Sequence, residues 1–166
     1  MLHLITDWVE RALPASLHRA LLPFAHRIRH RWRKWRKAPI FGVGVILTND
    51  RGEVLLIRHS YGPQVWTLPA GGKKAGEDPT ECARREVREE LGVEVGEMQS
   101  LGVIEEELSG SPHTSHLFTG TGATVPKPDQ REIVEAQFFP VYDLPEPLGW
   151  NVPRRIEIWQ NYSKDS

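Results

Sequence analysis

Short runs of apolar residues follow Pro39, and the period then lengthens to that of a helix. Residues 41–48 and 53–58, joined by the turn Asn49-Asp50-Arg51-Gly52, predict a β-hairpin. Trp66-Thr67-Leu68-Pro69 predicts a short apolar strand that ends at Pro69 and runs into Ala70-Gly71-Gly72, small residues that let a ligand approach the backbone. Ala83, Val87 and Leu91 recur four apart, which predicts roughly three turns of amphipathic helix. Asp78 is placed to cap that helix, with Pro79 in its first position, Glu81 completing a capping box, and Gly92 closing it in a left-handed conformation. Further strands are expected over 101–108 and 114–119, joined by Ser109-Gly110-Ser111-Pro112, and over 136–141. Asn151 predicts the cap of a last helix that buries Ile156 and Trp159. Strands alternating with helices place the chain in the α/β class.

The first 37 residues follow another pattern. Leu17, Leu21, Phe24, Ile28, Trp32 and Trp35 fall three or four apart, and Arg27, Arg29, Arg31, Arg33, Lys34, Arg36 and Lys37 supply a polar side. Of the 21 Lys and Arg in the chain, nine lie in residues 1–37 against two acids, so that segment carries +7; the other twelve bases and twenty acids leave −8 for the rest. The net charge of −1 therefore hides two oppositely charged parts. Such a basic amphipathic extension suits packing on its own domain or in a homodimer, an anionic membrane surface, or nucleic acid, with self-packing favoured because apolar helix faces more often pack than insert. At 166 residues and 39% hydrophobic, the chain has room for one catalytic domain, expected over 38–166, beyond that extension.

The single cysteine, Cys82, cannot form an intramolecular disulfide, and its place in the expected helix suggests packing. No run approaches 18 apolar residues, and Met1 to Asp7 lacks the basic start of a secretory leader. A cytoplasmic protein is expected, peripheral at the membrane if the basic segment binds lipid.

The candidate chemistry lies between Gly71 and Val93. Gly71, Glu77, Arg85, Glu86, Glu89, Glu90 and Gly92 stand at fixed spacings, with aliphatic Val87 and Val93 completing a run that would arise by chance with probability on the order of 10⁻⁷. On a helix Glu86, Glu89 and Glu90 stand at i, i+3 and i+4, so their side chains converge and repel. Hard oxygen ligands of this kind call for a divalent cation such as Mg²⁺ or Mn²⁺ together with substrate phosphates. Arg85, eight residues after Glu77, is placed for a bidentate bond that braces loop to helix. Outside this run the signals are weaker. Arg58 and His116 are candidate substrate contacts and His113 is a lesser one, while Glu105-Glu106-Glu107 reads as a solvated strand edge.

The segment from Gly71 to Val93 resembles a complete Nudix box, the signature of Nudix hydrolases. That resemblance implies an α/β/α sandwich with a mixed sheet, preceded here by the basic helical extension. It also implies Mg²⁺- or Mn²⁺-dependent hydrolysis of a pyrophosphate bond in a nucleotide-derived small molecule. The metal ligands would be Glu86, Glu89, Glu90 and the carbonyl of Ala70, with Glu77 and Arg85 stabilising loop and helix. The proton acceptor stays open among Glu86, Glu89 and Glu132. The alternatives are a Nudix-fold nucleotide sensor without turnover and an RNA 5′-end pyrophosphohydrolase.

Overall fold

A computed structural model describes residues 39–165 apart from 109, 123 and 124. The amphipathic segment expected over 1–37 lies outside the described residues. Among the described residues six strands and two helices follow in the order β1 (Ile40–Thr48), β2 (Val54–His59), β3 (Ala70–Gly72), α1 (Pro79–Leu91), β4 (Val95–Leu108), β5 (Ser111–Gly122), β6 (Ile133–Phe139) and α2 (Val152–Asp165).

The strands form one mixed sheet ordered β4-β5-β1-β2-β6, with β3 attached to β1. Its centre is the parallel pair β1–β5, which runs in register from Ile40↔His113 to Thr48↔Thr121. Val43 through Leu47 are buried without interruption, as expected of a strand covered on both faces. Alternate side chains divide between two layers. Val45, Leu47, Leu55 and Ile57 pack on Ala83, Val87 and Leu91 of α1. Ile46, Val54 and Leu56 pack with Leu117 on Val152 and Ile156 of α2, with Trp159 against the same cluster. The architecture is the α/β/α sandwich with a mixed sheet that the resemblance implied.

Four strand expectations need correction. The turn after β1 closes through Gly52 N–H to Asn49 O at 2.9 Å, yet β1 and β2 pair only at Thr48↔Val54. Beyond it the hairpin opens and admits residues 67–72. Val45 N–H donates to Pro69 O at 2.8 Å, Thr67 bridges to Ile57, and β3 lies antiparallel to β1 from Gly42↔Gly72 to Gly44↔Ala70. The strand expected over 66–69 is thus reduced to isolated bridges at Trp66 and Thr67, and the strand proper is Ala70–Gly72, formed by the small residues. β4 and β5 are longer than expected because β4 absorbs irregularities in its register, one between Ser100 and Gly102 with Gly102 at φ 113°. β6 starts earlier than expected, at Ile133, and ends before Pro140, which has no amide to extend the ladder.

α1 begins where its capping residues place it. The Asp78 side chain accepts from Thr80 N–H at 2.8 Å and Glu81 N–H at 3.2 Å, and Gly92 closes the helix at φ 62°. Replacing Asp78 with Ala is expected to lower stability by about 1 kcal/mol without changing the fold, because two helix-end donors lose their acceptor. Urea denaturation followed by circular dichroism measures this; an unchanged midpoint would contradict it.

Candidate functional site

The end of β3, the outer face of α1, the loop before β6 and the start of α2 surround one cleft of about 690 Å³. Its lining includes Ala70, Gly71, Glu86, Glu89, Glu90 and Glu132, residues up to 62 positions apart in sequence. Gly71 decides how closely they meet. A Cβ built there would overlap the Glu86 carboxyl group, so only glycine lets that carboxylate lie against β3. Gly71 is therefore fixed by a close approach between two elements.

Arg85 ties this region together. Its Nε donates to Glu77 Oε1 at 2.8 Å and its Nη2 to Glu77 Oε2 at 3.1 Å, while Lys74 N–H donates to Glu77 Oε2 at 2.8 Å. These bonds, led by Arg85, hold the Glu77 carboxyl at about 2. Arg85 Nη1 reaches Glu86 Oε1 at 2.8 Å and Glu89 Oε2 at 3.4 Å. One guanidinium thus partners three carboxylates. Cys82 packs beneath it, its thiol pushed up to about 12 by burial.

The deeper carboxylates are less well compensated. Burial raises the pKa of Glu86, and the charges of Glu89 and Glu132 add to the shift while Arg85 opposes it. Glu90 is raised well above its ordinary value, first by burial and then by Glu86, Glu132 and Asp129. Its Oε2 is buried without a hydrogen-bond partner. A buried, unpaired carboxylate oxygen among like charges costs several kcal/mol unless a proton or a cation neutralises it. Among the described residues no three His, Cys, Asp or Glu side chains are already drawn into a metal cage. The orphaned Glu90 oxygen and its acidic neighbours nonetheless fit a hard divalent cation in their donor chemistry.

Glu132 is held from three directions. Its N–H donates to Asp129 Oδ1 at 3.0 Å, its carbonyl accepts from Ser60 N–H at 2.8 Å, and its Oε2 accepts from Tyr61 Oη at 3.2 Å. Arg58 and His116 do not line the cleft. Arg58 pairs with Glu135 across β2 and β6 at 3.1 Å and lies over Trp66 at 5.6 Å, while His116 sits within β5 between its partners Val43 and Val103.

The far end of the cleft contains residues that sequence reasoning missed or read otherwise. Glu106 and Arg155 are almost fully buried, and Glu106 Oε1 accepts from Arg155 Nη2 at 2.7 Å and contacts His113 Nδ1 at 3.0 Å. Arg155 Nη2 also reaches Ser115 Oγ at 3.2 Å, and a Cβ on Gly44 would lie 2.8 Å from Arg155 Nη1. Of the Glu105-Glu106-Glu107 run, the middle residue is a buried ion-pair partner, which corrects the solvated-edge reading. Asn151 and half-exposed Phe41 complete this end. The available signal was the alternation of β4, which puts Glu106 on the same face as buried Ile104; the partner on α2 had no local signal.

A NUDIX domain profile matches residues 38–160. An NAD-capped RNA hydrolase NudC of Pseudomonas entomophila (strain L48) is 34% identical over 128 residues, covering 73% of this chain and 45% of that protein. An RNA pyrophosphohydrolase of Rhodospirillum rubrum is 49% identical over 51 residues, 31% of each chain. The chain thus spans less than half the length of these curated relatives. Among solved structures, a MutT NUDIX hydrolase from Burkholderia pseudomallei superposes with a TM-score of 0.66 at 25% identity, covering 72% of this chain and 97% of that one. Among the described residues no helix is long and apolar enough to cross a membrane.

An acid whose pKa is raised on folding binds its proton more tightly folded than unfolded. Its contribution to stability therefore falls as pH rises from the unfolded value near 4.5 through the higher folded one. Without divalent cations, Glu90→Gln is expected to melt about 4 °C or more above wild type at pH 8, with the gain shrinking toward pH 5. Differential scanning calorimetry across that range checks it; equal melting temperatures at pH 8 would contradict the burial cost assigned to Glu90.

Proposed function

The chain belongs to the NUDIX family, and from that premise we propose that it hydrolyses a pyrophosphate bond in a nucleoside diphosphate-linked substrate. Mg²⁺ or Mn²⁺ would be held by Glu86, Glu89, Glu90 and the carbonyl of Ala70. The observation that carries this reading is the orphaned Glu90 oxygen, buried among Glu86, Glu132 and Asp129 in a cleft large enough for a nucleotide.

Hydrolysis of a phosphoanhydride needs charge neutralised on both phosphoryl groups and a proton removed from the attacking water. A cation held there would supply Lewis acidity and activate the attacking water. The chain's own residues do the rest. Glu132, facing Glu86 and Glu90 across the cleft and held by Tyr61, is the favoured proton acceptor, with Glu86 and Glu89 as the other candidates. Arg85 keeps Glu86 and Glu89 from repelling each other out of position. Lys74 and Arg131 on the cleft wall add positive charge for the phosphates, and the Phe41, Asn151 and Arg155 end leaves space for the nucleoside.

The names of the relatives favour one second reading, action on an RNA 5′ end. The nine Lys and Arg of residues 1–37 would then contact the RNA backbone. Docking of the same segment on an anionic membrane, on the domain itself or in a homodimer are its competing uses.

Both readings meet one assay. The full chain is incubated with nucleoside triphosphates, nucleotide sugars, dinucleoside polyphosphates, NAD and 5′-triphosphorylated RNA, each with Mg²⁺ or Mn²⁺. Cleavage of one class is expected, abolished by chelation and reduced about 100-fold or more in kcat by Glu89→Gln with circular dichroism unchanged. Full activity in both Glu89→Gln and Glu90→Gln would refute the metal assignment. Tight nucleotide binding without turnover would replace the hydrolase with the sensor.

A further inference from the structure

Glu132 lies on a loop, and loops place carboxylates poorly unless something fixes them. Here the fixing residue is Asp129. Its Oδ1 accepts from Arg131 N–H at 3.0 Å, Glu132 N–H at 3.0 Å and Ile133 N–H at 2.9 Å. Its own N–H donates to Glu90 O at 2.9 Å, and Lys127 N–H donates to Leu91 O at 2.7 Å, so the loop satisfies carbonyls left open at the end of α1. Gln130 completes the tight turn with φ 59° and an N–H donated to Ile133 O at 3.0 Å, a left-handed conformation uncommon for a residue with a side chain.

The site is electrostatically poor for an aspartate. The C-terminal end of a helix carries partial negative charge, and Asp129 adds to the repulsion that raises Glu90. A turn residue without a side-chain oxygen would avoid that cost but leave the three amides without their acceptor. What Asp129 provides instead is a rigid link between the backbone of Glu90 and the backbone amide of Glu132.

We infer that Asp129 is a positioning residue that sets the Glu132 carboxylate against the glutamates of α1 by clamping the 129–133 turn to the end of that helix. The inference rests on the hydrolase reading above, with Glu132 as the group it positions. The clamp depends on an oxygen acceptor at Oδ1 rather than on charge, so Asp129→Asn preserves it and Asp129→Ala removes it.

The test compares wild type, Asp129→Ala, Asp129→Asn, Glu132→Gln and the Asp129→Ala/Glu132→Gln double variant, all as full chains. Amide hydrogen exchange over 131–133 is read without substrate, and steady-state kinetics are read with Mn²⁺ on the panel substrate that wild type cleaves fastest. Asp129→Ala is expected to speed exchange at those amides about 10-fold or more and to lower kcat by about 30-fold with KM within about 3-fold. Asp129→Asn is expected to keep the protection and recover most of the lost kcat. The double variant is expected to be no slower than Glu132→Gln alone, since a residue that acts only through Glu132 has nothing left to lose. Unchanged exchange in Asp129→Ala, unchanged kcat despite faster exchange, an Asn variant as slow as Ala, or losses that multiply in the double variant would each overturn the assignment. If wild type cleaves no member of the panel, the hydrolase reading falls, and the positioning role falls with it; the exchange data then describe only the clamp.

Discussion

Several carboxylates share one cleft in this protein, two of them buried, and their mutual repulsion is the constraint around which the site is arranged. At an effective dielectric constant of about 20, two like charges about 5 Å apart repel by about 3 kcal/mol. Glu86 and Glu90 face like-charged neighbours and also lose hydration. Set against a typical folding stability of about 5–15 kcal/mol, this is a cost the fold can carry only with compensation. Among the described residues Arg85 is the main compensation, and it reaches Glu77, Glu86 and Glu89 but leaves the inner oxygen of Glu90 unpaired. The uncompensated remainder is what a bound cation would neutralise.

The surrounding architecture brings these groups close. The hairpin opens after one pair so that residues 67–72 can enter between β1 and β2. That insertion carries Gly71 to the face of α1, where the absent side chain leaves room for Glu86. The α1 stripe of Ala83, Val87 and Leu91 anchors the helix in the core, which fixes the rotation that turns its glutamates toward β3. From the opposite side the 125–132 loop runs onto the end of the same helix and delivers Glu132. Packing, backbone pairing and a single glycine thus combine to hold acids that would otherwise separate.

The helix and the convergence of its acids were legible in the sequence because both depend on local spacing. Asp78, Pro79 and Gly92 mark the ends by their backbone preferences, and Glu86, Glu89 and Glu90 share a side by the period of the helix. The α/β class was legible from the alternation of elements, and the α/β/α layering from the resemblance carried by residues 71–93. The open hairpin was not, since adjacent apolar runs with a good turn give no sign that a distant segment will separate them. Nor was the Glu106–Arg155–His113 network, which depends on β4–β5 register and on α2 packing across the sheet, 49 residues away from Glu106 in the case of Arg155. Arg58 beside a strand end looked like a phosphate contact, but its partner Glu135 comes from the pairing of β2 with β6, which no local pattern specifies. Asp129 passed unnoticed because an aspartate in a loop is ordinary until its three backbone donors are seen.

Whether the acid cluster is held ready for a divalent cation can be measured directly by titrating Mn²⁺ into the full chain and into Gly71→Ala, following free Mn²⁺ by electron paramagnetic resonance at pH 7.5. If close packing of Glu86 on Gly71 shapes the site, wild type binds Mn²⁺ saturably and Gly71→Ala binds it about 10-fold or more weakly. Absence of saturable binding to wild type, or equal affinity in the two proteins, would contradict the account.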